Sequence, residues 1–230
     1  MIPQELIDRV ATPDGQELVL YQRDGVFTIR VGGFELMSSR AHGSEEVLAT
    51  SVLAEVASRR PTVLVGGLGM GFTLRAVLDA MPIGGRVMVA ELLPEIVRWN
   101  RDHLGHLAGH PLDDPRVLLV ETDVAEIMAA RTRTFDAILL DVDNGPSALT
   151  DRRNAGLYTV RGLAAARRSL KAAGILGVWS AGPDVPFERA LRRAGFSVRV
   201  RSVHARREAK GPRHTIFVAR PTTRGGPRRR

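Results

Sequence analysis

One stretch constrains this chain more than any other: Val63-Leu64-Val65-Gly66-Gly67-Leu68-Gly69-Met70-Gly71, with Glu91 twenty residues past the last of these glycines. The apolar run reads as a strand. A glycine-rich turn follows, and then a helical pattern from Thr73 to Met81. A second apolar run, Arg86 to Ala90, ends on the acid. Glycines let the backbone approach a ligand closely and let the helix N-terminus point at it. A carboxylate at the tip of the next strand can accept both ribose hydroxyls of an adenosine. The pattern therefore predicts a nucleoside pocket at the carboxyl edge of a parallel sheet, with Gly66, Gly67, Gly69, Gly71 and Glu91 around it.

The rest of the chain supplies that sheet. From Val63 onward, strands are expected near 62–66, 86–91, 116–121, 135–141 and 174–180, with helices near 71–81, 94–104, 123–131, 156–170 and 186–194. Pro94 sits in the first turn of its helix, where a missing N–H costs nothing. This alternation is the signature of a doubly wound, Rossmann-like α/β fold of about seven strands. Residues 196–204 and 214–219 follow one another with no helix between and are expected to pair antiparallel at one end of the sheet. Upstream, 17–22, 26–31 and 34–38 read as a small β-meander turned at Asp24-Gly25 and Gly32-Gly33. Ser44 is read as the cap of a helix with Glu45 and Glu46 in its first turn. The division is thus 1–40, a β-extension; 41–221, the nucleoside-binding domain; and 222–230, a disordered basic tail.

Composition narrows the classes. The chain has 230 residues, enough for one domain with a small appendage. With no cysteine, disulfides, thiolate catalysis and Cys-ligated zinc are excluded. No apolar run approaches the ~20 residues of a membrane span, and the N-terminus lacks a secretory pattern, so a cytoplasmic protein is expected. Net charge is +8, but 31 of the 33 basic residues are arginine and several lie in the tail. That skew suits a GC-rich coding sequence better than a phosphate-binding surface, and nucleic acid is not expected as the partner.

Further polar positions fall at strand ends, where open α/β sheets bind ligands. Thr122-Asp123-Val124 follows the third strand and is placed to take the adenine. Asp141 ends the fourth strand, beside the group to be transferred, and Asp143 and Asn144 come next. Each acid alone could be a plain turn or cap residue. His103, His106 and His110 are broken up by Gly105 and Gly109 and lack an acid at ligand spacing, so no metal is expected. Trp179, after the fifth strand, could line an acceptor pocket or pack the sheet edge. The basic loop 205–213 reads as a solvated hairpin.

Residues 18 to 219 resemble the spermidine synthase family, a branch of the S-adenosylmethionine-dependent transferases. The order of β-segment, glycine turn, Glu91 strand, Asp123 turn, Asp141 strand and Leu157-Tyr158 matches, as does the last strand, Arg213-His214-Thr215-Ile216-Phe217-Val218-Ala219. The resemblance implies the methyltransferase fold, a homodimer, S-adenosylmethionine or its decarboxylated form as donor, a small amine as acceptor and no metal. It assigns catalysis to Asp141 and Asp143, and the acceptor to Glu46, Asn144, Tyr158 and Trp179. The departures concern substrate. Where the polyamine enzymes carry an acid in the glycine turn, this chain has Gly69. Where they carry a tyrosine before a histidine-glutamate pair, it has Ser44-Glu45-Glu46, with only Glu46 fitting. The aspartate-rich loop is shortened. A polycation needs a carboxylate-lined tunnel, and a turn without an acid suits a donor that keeps its own carboxylate. These charge arguments favour methyl transfer, with aminopropyl transfer as the alternative.

Overall fold

The computed structural model describes residues 3–12, 15–142, 145–146, 156–206 and 211–222. Asp143, Asn144, part of the basic loop (207–210) and the tail from 223 lie outside the described residues.

Two sheets organise the chain. The first is antiparallel, in the order β1 (Glu5–Ala11), β2 (Glu17–Arg23), β3 (Val26–Val31) and β4 (Phe34–Ser38). The last three are the expected meander. The first, β1, has no clean alternation to betray it, because a register shift between Leu6 and Asp8 breaks the period of two and Leu6 is left exposed. Asp8 ties this sheet to the main domain: its Oδ2 accepts the Trp99 indole N–H and an Arg98 guanidinium N–H, both at 2.6 Å.

The second sheet has seven strands. Parallel strands β5 (Thr62–Gly66), β6 (Arg86–Glu91), β7 (Val117–Glu121), β8 (Phe135–Leu140) and β9 (Leu170–Ser180) lie in the order β9-β8-β5-β6-β7. Next to β9, β11 (Arg213–Pro221) runs antiparallel, and β10 (Phe196–His204) pairs antiparallel outside it. The expected doubly wound fold with an antiparallel end is therefore observed.

Helices cover both faces, and strand alternation shows how. On β5, Val63 and Val65 face a core shared with Leu48 and Val52 of α1 (Gly43–Leu53), Leu74 and Val77 of α2 (Phe72–Ala80), and Ile96 and Trp99 of α3 (Pro94–Trp99). Leu64 faces the opposite core, with Met128 of α4 (Val124–Ala130), Leu163 of α5 (Val160–Ser169) and Leu191 of α6 (Val185–Arg193). Residues of both signs of the pleat are apolar, as a sheet covered on both sides requires. Leu18, Leu20, Phe27 and Ile29 of the N-terminal sheet join the first of these cores, which sets that sheet over the α1–α3 side.

The helix expected over 94–104 is α-helical only to Trp99; Asn100–Leu104 winds on as a π turn. Asn100 explains the distortion. Its Nδ2 donates to the Ile96 carbonyl (2.9 Å) and also to the Gly69 carbonyl in the glycine turn (2.7 Å). A widened turn at a functional segment is a common use of this geometry.

Candidate functional site

The glycine turn is shaped by contacts that exclude side chains. Gly67 has φ +88, and a Cβ there would lie 2.2 Å from the Asp141 carbonyl oxygen. Gly69 has φ +51, and its Cβ would lie 2.8 Å from Cε of Met37 on β4. The turn is thus pressed between β8 and the N-terminal sheet. Glu91, at the end of β6, braces it from the side: Oε2 accepts the Leu68 N–H and Oε1 the Leu93 N–H, both at 2.9 Å. Burial pushes the Glu91 carboxyl up, and these amides pull it back in part.

A cavity of about 270 Å³ opens at the carboxyl ends of β5, β6, β7 and β8, roofed by Ile29, Leu36 and Met37 of the N-terminal sheet. Of the predicted residues, Gly67, Gly69, Glu91, Thr122, Asp123, Val124, Asp141 and Trp179 line it. Gly66 and Gly71 do not; the first lies under the turn against Val124, and the second precedes α2 against Pro111. Asp123 lines the cavity and also caps α4, accepting the Ala125 N–H at 2.8 Å. Asp141 is partly exposed as a residue, but its carboxyl lies in the interior, where Thr73 Oγ1 donates to it at 2.5 Å. Burial raises the Asp141 carboxyl to about 6 against the Thr73 bond.

Four expectations need correcting or fall outside the described residues. Glu46 does not reach the cavity; it pairs with His42 at 2.9 Å on another side of α1. Tyr158 is not in the cavity either; its ring meets Phe187 edge-on (5.4 Å) in the opposite core. Asp143 and Asn144 lie outside the described residues. Ser44 is not the cap of α1, whose N-cap is His42 without a side-chain bond. Among the described residues, no three His, Asp or Glu side chains gather as a metal site would; His106 packs edge-on against Phe27.

What sequence reasoning missed is the neighbour of Glu46. Glu45 is 5% exposed and lines the cavity. Burial, and then the adjacent Asp141, push its carboxyl up to about 8. Ser44 Oγ sits 2.6 Å from Glu45 Oε2 and 2.8 Å from His214 Nδ1, and it accepts the Trp179 indole N–H at 3.0 Å. The Trp179 and His214 rings meet edge-on, 4.6 Å apart. Burial lowers the basicity of His214. Glu35 of β4 was missed as well and lines the rim. The described lining therefore contains Glu35, Glu45, Glu91, Asp123 and Asp141, one histidine, and no arginine or lysine, in a chain of net charge +8. Such a concentration of acid attracts and stabilises cations.

No model of a known protein family matches this chain. Polyamine aminopropyltransferase 2 of Caldanaerobacter subterraneus subsp. tengcongensis is 34% identical over 131 residues, covering 54% of this chain and 43% of the relative. A polyamine aminopropyltransferase of Thermococcus onnurineus is 28% identical over 128 residues, 55% of this chain and 44% of the relative. The matched stretch thus spans less than half the length of either. Spermidine synthase from Thermotoga maritima superposes with a TM-score of 0.74 at 22% identity, covering 93% of this chain and 72% of that one. A spermidine synthase in complex with the transition state analogue AdoDATO superposes with a TM-score of 0.72 at 21% identity, covering 93% and 71%. In sequence this chain is similar to polyamine aminopropyltransferases, in fold it is like spermidine synthase, and the likeness to the spermidine synthase-like family read from residues 18 to 219 is supported by both.

Proposed function

We propose that the chain is a spermidine synthase-like transferase that moves an aminopropyl group from decarboxylated S-adenosylmethionine to a small amine. The observation that carries this reading is the acid-lined cavity: five carboxyl groups and no arginine or lysine among its described residues, within a basic chain. Both reactants of such a transfer are cations, so both gain from that lining. The charge arguments from Gly69, from Ser44-Glu45-Glu46 and from the shortened aspartate-rich loop pointed to methyl transfer. Glu35 and Glu45 weaken them, because they restore acid that the turn lacks. The named relatives also favour the aminopropyl reading.

The residues present fit an adenosyl donor. Glu91, at the end of β6 with the Leu68 and Leu93 amides on its two oxygens, lines the cavity where a ribose hydroxyl would be accepted. Ala90, Leu92 and Ile96 give apolar lining beside it, and Thr122, Asp123 and Val124 stand where an adenine would be read. When bound, the donor supplies an electrophilic carbon on a sulfonium. The chain's own part is positioning and proton management: Asp141 and Glu45 hold the amine against that carbon, and its proton leaves to them as the nitrogen attacks. In this reading 1–40 closes the pocket from above, 41–221 carries the site, and the acceptor is a small molecule.

One observation favours a second reading. Met37 fills the place beside Gly69 where an acid would bind a donor's amine, so methyl transfer from S-adenosylmethionine remains the alternative. A product assay separates the two. Incubation with decarboxylated S-adenosylmethionine and putrescine is expected to release methylthioadenosine. Release of S-adenosylhomocysteine from S-adenosylmethionine, with no methylthioadenosine, would overturn the first reading in favour of the second.

A further inference from the structure

Ser44 lies under the acid cavity with three polar partners and too few protons and lone pairs to treat them alike. A hydroxyl has one proton to donate and two lone pairs. The Trp179 indole N–H can only donate, so it occupies one lone pair at 3.0 Å. One lone pair and one proton then remain for Glu45 Oε2 at 2.6 Å and His214 Nδ1 at 2.8 Å. One of these two must donate to Ser44 and the other must accept from it.

The electrostatics choose between the arrangements. If His214 donated, Glu45 would have to be a carboxylate, 5% exposed, facing the Asp141 carboxyl, with no arginine or lysine lining the cavity among the described residues. An uncompensated buried charge of this kind is costly. If Glu45 donates, every member of the chain is neutral and every bond is kept. The groups facing this cluster are Glu45 and Ser44 from α1, Asp141 with Thr73 from β8 and α2, Trp179 from β9 and His214 from β11.

We infer that Glu45, Ser44 and His214 form a directional proton relay, Glu45 O–H to Ser44 Oγ and Ser44 O–H to His214 Nδ1, with His214 as the terminal acceptor of the proton shed by the attacking amine. The inference rests on the aminopropyl reading for the source of that proton, but the arrangement of the resting protons rests only on the hydrogen-bond distances and on the burial of Glu45 beside Asp141. The transfer balances. The amine nitrogen bonds to carbon and gives its proton to the free Glu45 oxygen, Oε1. Glu45 Oε2 passes its proton to Ser44 Oγ, and Ser44 passes its own to His214 Nδ1. Glu45 and Ser44 end as neutral as they began, and the net change is one proton from the amine to His214. The half-buried imidazolium then releases its Nε2 proton to water, and exchange of the ring protons with solvent, with rotation of the Ser44 and Glu45 hydroxyls, returns the chain to its resting direction. Burial keeps His214 neutral beforehand, as a terminal acceptor must be. His214 and Trp179 line the cavity, while Ser44 acts only through its neighbours and is a positioning residue.

The test has two arms. Imidazole nitrogen shifts of the 15N-labelled free protein at neutral pH, assigned by loss of one pair in His214→Gln, report the tautomer. The relay requires an unprotonated Nδ1 and a protonated Nε2 on His214, and a shift toward mixed tautomers in Ser44→Ala. A protonated Nδ1, or shifts unmoved by Ser44→Ala, overturns it. In turnover with decarboxylated S-adenosylmethionine and putrescine, His214→Gln still accepts from Ser44 but cannot take a proton. Its kcat is expected to fall about tenfold to a hundredfold with KM little changed, and the acid limb of the pH profile is lost. An unchanged profile refutes the relay. If the parent protein releases no methylthioadenosine, the aminopropyl reading fails, and the nitrogen shifts still decide the proton arrangement.

Discussion

Gly67 and Gly69, two positions apart in sequence, should respond very differently to the same added methyl. At Gly67 a Cβ would lie 2.2 Å from a backbone carbonyl oxygen, that of Asp141. At Gly69 it would lie 2.8 Å from the end of a methionine side chain. Both have positive φ, +88 and +51, which costs a side chain about 1–2 kcal/mol. The methionine can swing aside. The carbonyl is part of the backbone and cannot swing aside in the same way, because the N–H of the same residue, Asp141, is bonded to the Gly66 carbonyl at 2.9 Å and anchors it beside the sheet. Overpacking of a rigid site adds about 1–3 kcal/mol, and losing that bond about 1 kcal/mol more. Gly67→Ala should therefore cost about 3–6 kcal/mol, and Gly69→Ala about 1–2 kcal/mol. For a chain of this size 1 kcal/mol moves Tm by about 2–4 °C. Thermal unfolding followed by circular dichroism should show Gly67→Ala melting at least ~6 °C low, with calorimetric binding of methylthioadenosine abolished as Asp141 is displaced. If Gly67→Ala melts with the parent protein, or if Gly69→Ala loses more than Gly67→Ala, the account of the turn as clamped against β8 is wrong.

Other consequences follow from the same site. Glu45 and Asp141 lie at about 8 and about 6 in the fold, above their ordinary 4.5 and 3.8. The folded protein therefore keeps protons that the unfolded chain has released, and stability is fully present below pH ~4 and is lost as pH rises toward ~8. Urea midpoints across that range should show this fall flattened in Glu45→Gln and retained in Glu46→Gln; parallel curves for parent and Glu45→Gln would contradict the placement of Glu45. Asp123→Ala removes the α4 cap and should cost about 1 kcal/mol, read as a Tm about 2–4 °C lower; no change would mean the cap bond is not formed in solution. Glu91→Gln turns an amide N–H₂ toward one of two backbone N–H groups, a loss of about 1–3 kcal/mol. It should also weaken methylthioadenosine in calorimetry, and undiminished binding would remove Glu91 from the adenosyl site.

The main sheet was legible because its signals are local. A strand, a glycine turn and a helix with Pro94 at its start announce themselves within a few residues, and the acids at 91, 123 and 141 follow from strand ends. The strand β1 was not legible, since its bulge breaks the alternation that identifies a strand. Nor was the π turn at Asn100, whose cause is a bond to Gly69, thirty-one positions away in sequence.

The choice between Glu45 and Glu46 shows the limit most sharply. Neighbouring helical residues point about 100° apart, so one glutamate can enter a cavity only if the other leaves it. The phase of a helix is normally read from its apolar stripe. On α1 that reading fails because buried residues run almost all the way round: Ser44, Glu45, Leu48, Ala49, Ser51, Val52 and Leu53 are all buried, against the sheet on one side and α2 on another. The strip left outside is narrow, Glu46 and Val47 with the exposed Thr50. With an apolar residue in it and Ser44, Glu45 and Ser51 on the buried side, the apolar pattern alone does not say which acid turns in. The structure decides it through long-range partners: His214 and Trp179, 170 and 135 positions from Ser44, take hold of its hydroxyl and rotate the first turn so that Glu45 faces Asp141 while Glu46 meets His42. A residue whose role is set by partners that distant carries no signature of its own, and an acid-rich pocket could be found here only once the β9 and β11 side chains were in place.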